Sequence, residues 1–153
     1  MSRYSFGATS AILTSLAIIV GLGGAANPKM SIVAALMVLA VADNISDSLG
    51  IHVYRESQFK DHRGNRIHTV SNYLARLLIT RIFVLLVWFL PMQAALISSL
   101  VIGMLLLCIL SYFIAIYHNS SPLWEIAEHL GIAVIVLVAS SFLGQLIRGM
   151  VSF

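Results

Sequence analysis

The chain has 153 residues, of which 59% are hydrophobic and only 10% charged, and its mean hydropathy is +0.96. Soluble domains carry about a quarter charged residues, so this composition excludes an ordinary soluble globule and points to a chain that lies mostly in lipid. The net charge of +3 asks for no nucleic-acid partner, because the basic residues sort by membrane topology.

In chain order, apolar segments run at about 6–26, 30–54, 73–90, 93–117 and 123–148, each near or above the ~20 residues that carry a helix across a bilayer. The expected fold is all-α: a polytopic membrane protein with five transmembrane helices forming a single domain over residues 1–153. The first segment places small residues at Gly7, Ser10, Thr14, Ala17, Gly21 and Gly24, spaced by three and four along one seam. In lipid, where apolar burial gives no drive to association, such a seam lets backbones approach closely. This helix is therefore expected to be central, packed on a neighbour or on its copy in a homodimer. Arg3, the apolar residues 11–22 and Gly23-Gly24-Ala25-Ala26 imitate a signal peptide, but the lone basic residue and the packing seam favour a retained helix.

Asn27-Pro28-Lys29 reads as a turn, with Pro28 opening the second helix. That helix ends near Arg55 or a turn or more beyond, and His62-Arg63-Gly64-Asn65 is the expected turn before the third. Pro91 separates the third and fourth segments, and residues 118–122 separate the fourth and fifth. There Ser120 or Ser121 can cap the last helix, with Pro122 in its first turn and Glu125 and Glu128 near its positive end. Arg3, Arg55, Lys60, Arg63, Arg66 and Arg76 fall on one side, with Arg81 just inside the third segment, and only Lys29 and Arg148 fall on the other. The positive-inside rule then puts the N-terminus in the cytoplasm and the C-terminus outside. A bacterial-type inner or plasma membrane is expected, with an organelle membrane as the other setting. The single cysteine, Cys108, lies in an apolar segment and reads as a small hydrophobe, with Met104 beside it as core packing rather than a soft ligand pair.

The chemistry concentrates in the second segment. Asp43 falls ~20 Å from its outer start, near the membrane centre, and Asp47 is displaced from it by only about 40° around a straight helix. Asn44, Ser46, Gly50 and Tyr54 accompany this pair, with Gly50 and Tyr54 continuing its stripe toward the cytoplasm. Two carboxylates at that depth are costly and repel one another, so they should not face lipid. Either both are neutral and hydrogen-bonded to Ser, Thr or Asn of neighbouring helices, or they line an ion or proton path; no intramembrane basic partner for both is evident. His52 and Glu56 are four apart but about 180° away from Asp43, which suits a solvated interfacial pair better than a metal site. Glu125, Glu128 and His129 share one helix face and either compensate the helix dipole or gather cations, since carboxylates with imidazole suit Fe²⁺, Mn²⁺ or Zn²⁺. No nucleophile with its base and orienter is present, and the chain is not read as an enzyme.

The first two helices, SAILTSLAIIVGLGGAANPKMSIVAALMVLAVADNISDSLGIHVYRES, and the last, SPLWEIAEHLGIAVIVLVASSFLGQLIRGM, resemble those of the vacuolar iron transporter family, which includes nodulin-like iron transporters. Asp43, Ser46 and Gly50 fit the family's positions. Ser10 stands where the family has an acid in helix one, Asp47 where it has a methionine, and Ile51 where it has a second acid; the cytoplasmic metal-binding insert of some members is missing. The resemblance implies five helices, a cytoplasmic N-terminus and a dimer with the pathway along helices one and two.

The leading expectation is a dimeric transporter of a divalent transition metal, Fe²⁺ or Mn²⁺, exchanged for protons. The metal would be held by Asp43 and Asp47 and gathered by Glu125, Glu128 and His129, the pathway including Ser10, Asn44, Ser46, Gly50 and Tyr54. The expected dimer seam is helix one, through Gly7, Ser10, Thr14, Ala17 and Gly21, and no resident cofactor is expected. The alternative is a membrane scaffold or assembly subunit in which Asp43 and Asp47 are neutral hydrogen-bonding groups, and a small-solute or proton-only pathway comes third.

Overall fold

A computed structural model describes residues 5–58 and 62–151 of the chain, with side chains described over 7–58 and 66–150; Arg3, Lys60 and the side chain of Arg63 lie outside these. The described residues form the helices α1 (Ser5–Leu22), α2 (Pro28–Val38), a π-helical turn (Leu39–Asp43), α3 (Asn44–Gln58), α4 (His62–Phe89), α5 (Met92–His118) and α6 (Pro122–Val151). The α2, π and α3 pieces make one 31-residue span, Pro28–Gln58. With Arg66–Phe89, Met92–His118 and Pro122–Met150 it gives four helices long and apolar enough to cross a bilayer, and Gly7–Leu22 is a shorter apolar helix.

Local sequence explains the breaks. Pro28 sits at the start of α2, where its missing N–H costs nothing, and the Lys29 ammonium donates to the Leu90 carbonyl at the end of α4 (3.2 Å), where a cation meets the negative helix end. α5 stops at Asn119, whose φ of 54° is left-handed, and the Ser120 amide then donates to the Ala115 carbonyl, closing the helix end as asparagine allows. The Ser120 hydroxyl donates to Glu125 in the first turn of α6 (2.9 Å). One expected turn is corrected: residues 62–65 are the opening of α4 rather than a loop, so α4 begins about three helical turns before residue 73.

α1 lies at the centre. It packs on α2, α4, α5 and α6, and α2, α4, α5 and α6 follow one another around it, leaving an open side between α6 and α2. No residue of Gly7–Leu22 is exposed. Its small-residue seam serves contacts inside the chain: a Cβ on Gly7 would overlap the Asn72 carboxamide of α4, and a Cβ on Gly144 of α6 would overlap the Gly21 carbonyl. Ser10 bonds to α4, and Thr14 turns its hydroxyl to its own helix, donating to the Ser10 carbonyl (2.9 Å). Thr14 and Ala17 line a side cavity with Val136 of α6. Of the residues expected to form a dimer seam, Gly7 and Gly21 thus meet α4 and α6 of the same chain.

The interior has two parts. An apolar core joins Ile12, Leu16 and Ile19 of α1 to Ile32 and Leu36 of α2, Phe83 and Val87 of α4, and Leu107 of α5. Next to it, where α1, α3 and α4 meet, the buried side chains are polar: Asn44, Ser48, Asn72, Arg76 and Thr80.

Candidate functional site

The polar part is built around a residue that sequence reasoning assigned to the loop charges. Arg76 is 1% exposed, the largest fully buried side chain among the described residues. Its Nη2 donates to Asp43 Oδ2 and one Nη1 hydrogen bond goes to Asp47 Oδ2. A second Nη1 bond reaches Ser10 Oγ, and Nε donates to Asn44 Oδ1, both at 2.8 Å. One guanidinium therefore binds both Asp43 and Asp47 and ties α1, α3 and α4 together. The Thr80 hydroxyl donates to the Arg76 carbonyl (2.9 Å), and one turn the other way Asn72 Nδ2 donates to Ser48 Oγ (3.3 Å).

The expectation that no basic residue partners both carboxylates is overturned by this pair of ion bridges. So is the neutral picture in which only Ser, Thr or Asn meets the acids. The signal was present: Asn72, Arg76 and Thr80 repeat every four residues, matching Asn44 and Ser48 on the facing helix, a polar seam in helical register.

The π turn sets the phase. The Asn44 amide bonds to the Leu39 carbonyl, five residues back, which widens that turn by roughly one residue. Buried positions can then follow one another at Ile32, Leu36, Ala40, Asn44 and Ser48, a spacing of four that would drift around an uninterrupted α-helix. Asn44 and Ser48 face the interior, while Asp43 and Asp47 flank them with side chains 43% and 36% exposed. Of the residues expected in the pathway, Asp43, Asp47, Asn44 and Ser10 come together on Arg76, while Ser46, Gly50 and Tyr54 are exposed and Gly50 has nothing within 4 Å of where a Cβ would sit.

The other expected metal ligands are engaged elsewhere. Glu125 accepts the Ser120 hydroxyl, His129 Nδ1 lies 2.9 Å from the buried Ser111 hydroxyl of α5, and Glu128 is exposed. Among the described residues no three His, Cys, Asp or Glu side chains gather to hold a metal ion, so the five-residue metal set is not one site. His52 is pinned between α3 and α4, Nδ1 3.1 Å from Thr69 Oγ1 and Nε2 3.4 Å from Glu56, on another face from the acids, as the helical geometry predicts.

The charge of the cluster is its chemical property. Two carboxylates on one guanidinium leave one negative charge over when both acids are ionised. Inside a membrane span such a charge is expensive unless a proton, a cation or another molecule meets it. The half-exposed flank of Asp43 and Asp47 is where that partner can arrive. No family model, curated protein or solved structure matches the chain significantly.

Proposed function

We propose that the chain is a membrane transporter that exchanges a divalent transition metal, Fe²⁺ or Mn²⁺, for protons, with Asp43 and Asp47 as the ion-receiving groups and Arg76 as their resident counter-ion. The observation that carries this reading is the one guanidinium held between two half-exposed carboxylates near the middle of a 31-residue span. With one proton on the acids the cluster is neutral. A divalent ion on both acids displaces that proton and competes with the guanidinium, and Asn44 Oδ1 and Ser10 Oγ, which Arg76 already touches, retain it. Proton return reverses the exchange. The resemblance of the first, second and last apolar segments to vacuolar iron transporters supports the same reading. It goes with five spans, a cytoplasmic N-terminus and a dimer. The test is metal flux into proteoliposomes under a pH gradient: Asp43→Asn and Asp47→Asn should each abolish it, and unchanged flux in both would sink the mechanism.

A second reading is favoured by one observation, that Arg76 bonds residues on both α1 and α3. In a scaffold or assembly subunit the cluster only locks three helices, wild-type vesicles show no metal flux, and the single Asp→Asn variants keep their melting temperature.

A further inference from the structure

Away from the ion cluster, α3 and α4 part toward the end where the Arg66–Phe89 span begins, leaving a groove of about 460 Å³. Its walls are apolar: Ile45 and Leu49 from α3, 52% and 57% exposed, and Val70 from α4, 57% exposed, so the groove opens sideways from the bundle. Its floor is fixed, because His52 bonds Thr69 across the two helices and Ser48 accepts from Asn72. Its mouth is cationic. Arg66 lines it and is exposed at the limit of the apolar span, and among the described residues no hydrogen bond or ion pair holds its guanidinium. Glu56 is drawn to His52, and Asp61, the acid nearest in sequence, lies outside the described residues. Measured along α4, Arg66 lies about 10 Å from Tyr73, which lines the inner end.

A cation at headgroup level above an apolar slot a few carbons deep matches one molecule class, a phospholipid with an anionic headgroup. Its phosphate meets Arg66 and one acyl chain lies between Leu49 and Val70. A free phosphate would use the mouth alone and leave the slot unfilled, while a zwitterionic lipid would use the slot but gain less from the cation. We propose that the α3–α4 groove is a binding site for one anionic phospholipid of the adjacent leaflet, held by Arg66.

The experiment uses the full chain, purified in detergent, stripped of lipid and titrated with phosphatidylglycerol or phosphatidylcholine, with bound lipid counted by native mass spectrometry. One phosphatidylglycerol per chain is expected to bind about fivefold more tightly than phosphatidylcholine, the factor a single basic residue at a membrane surface contributes. Arg66→Gln should erase that preference, and Arg66→Lys should keep most of it. Val70→Trp, which fills the slot from an exposed position, should weaken both lipids while the melting temperature holds. Equal binding of the two lipids by the wild type, an unchanged preference in Arg66→Gln, or displacement of phosphatidylglycerol by millimolar inorganic phosphate would each overturn the site.

Discussion

Arg76 sits between Asp43 and Asp47 with one positive charge against two negative ones, so substitutions change the charge of the cluster in whole steps. Arg76→Gln leaves two carboxylates facing each other without a counter-ion. Only the guanidinium is fully buried, so the carboxylates keep part of their hydration, but their mutual repulsion is left uncompensated and the variant should melt below the wild type in detergent. Restoring neutrality by also changing Asp43 and Asp47 to Asn should recover most of that loss, because amides can hydrogen-bond one another without leaving a charge. If Arg76→Gln melted like the wild type, the bridges would not be holding the helices. At this scale the sequence spoke unevenly. The acids stand out because an apolar segment cannot hide them, whereas Arg76 reads as a loop charge because the apolar run of the third span begins only three residues before it. Its depth comes from the helical residues 62–72 that precede it, where polar residues mask helical continuity.

At the scale of elements, the small-residue seam of α1 was legible and its occupant was not. Spacing identifies residues that permit close approach, but in a monomer sequence nothing says which helix approaches. The structure gives the Gly21 position to Gly144 of α6, backbone to backbone. Gly144→Ala puts a methyl into that contact, forces the two helices apart and should cost about 1–3 kcal/mol, as overpacking does. Gly131, on the same helix with nothing within 4 Å of where its Cβ would lie, supplies the control, and Gly131→Ala should melt at or slightly above the wild type. Equal melting of the two variants would mean that the α1–α6 contact is not close. The stripe through Asp43, Gly50 and Tyr54 differs from the buried face, and Gly50 and Tyr54 on it are exposed. It centred the buried face on the charges, whereas the apolar and amide residues at Ala40, Asn44 and Ser48 define that face, and Arg76 reaches the acids at its edge.

For the whole molecule, the two-part interior separates what holds the bundle from what can respond to an ion. The apolar cluster of α1, α2, α4 and α5 needs no solute, while the polar seam of α1, α3 and α4 sets two carboxylates against one guanidinium. A cation that binds the folded cluster and not the unfolded chain must raise the stability of the entire bundle, by about 2.7 kcal/mol when present at a hundredfold its Kd. Under the transporter reading, Mn²⁺ titrated into the purified protein should raise the melting temperature in a saturable way. The rise should be lost in Asp47→Asn and persist in Arg66→Gln, whose guanidinium lies in a different groove. The single Asp→Asn change also removes the surplus charge without a metal, so its own melting temperature should not fall while its response to Mn²⁺ disappears. A rise that survives Asp47→Asn would place the ion elsewhere in the molecule. No rise in the wild type would leave Arg76 as the carboxylates' permanent partner and the cluster as a lock between helices.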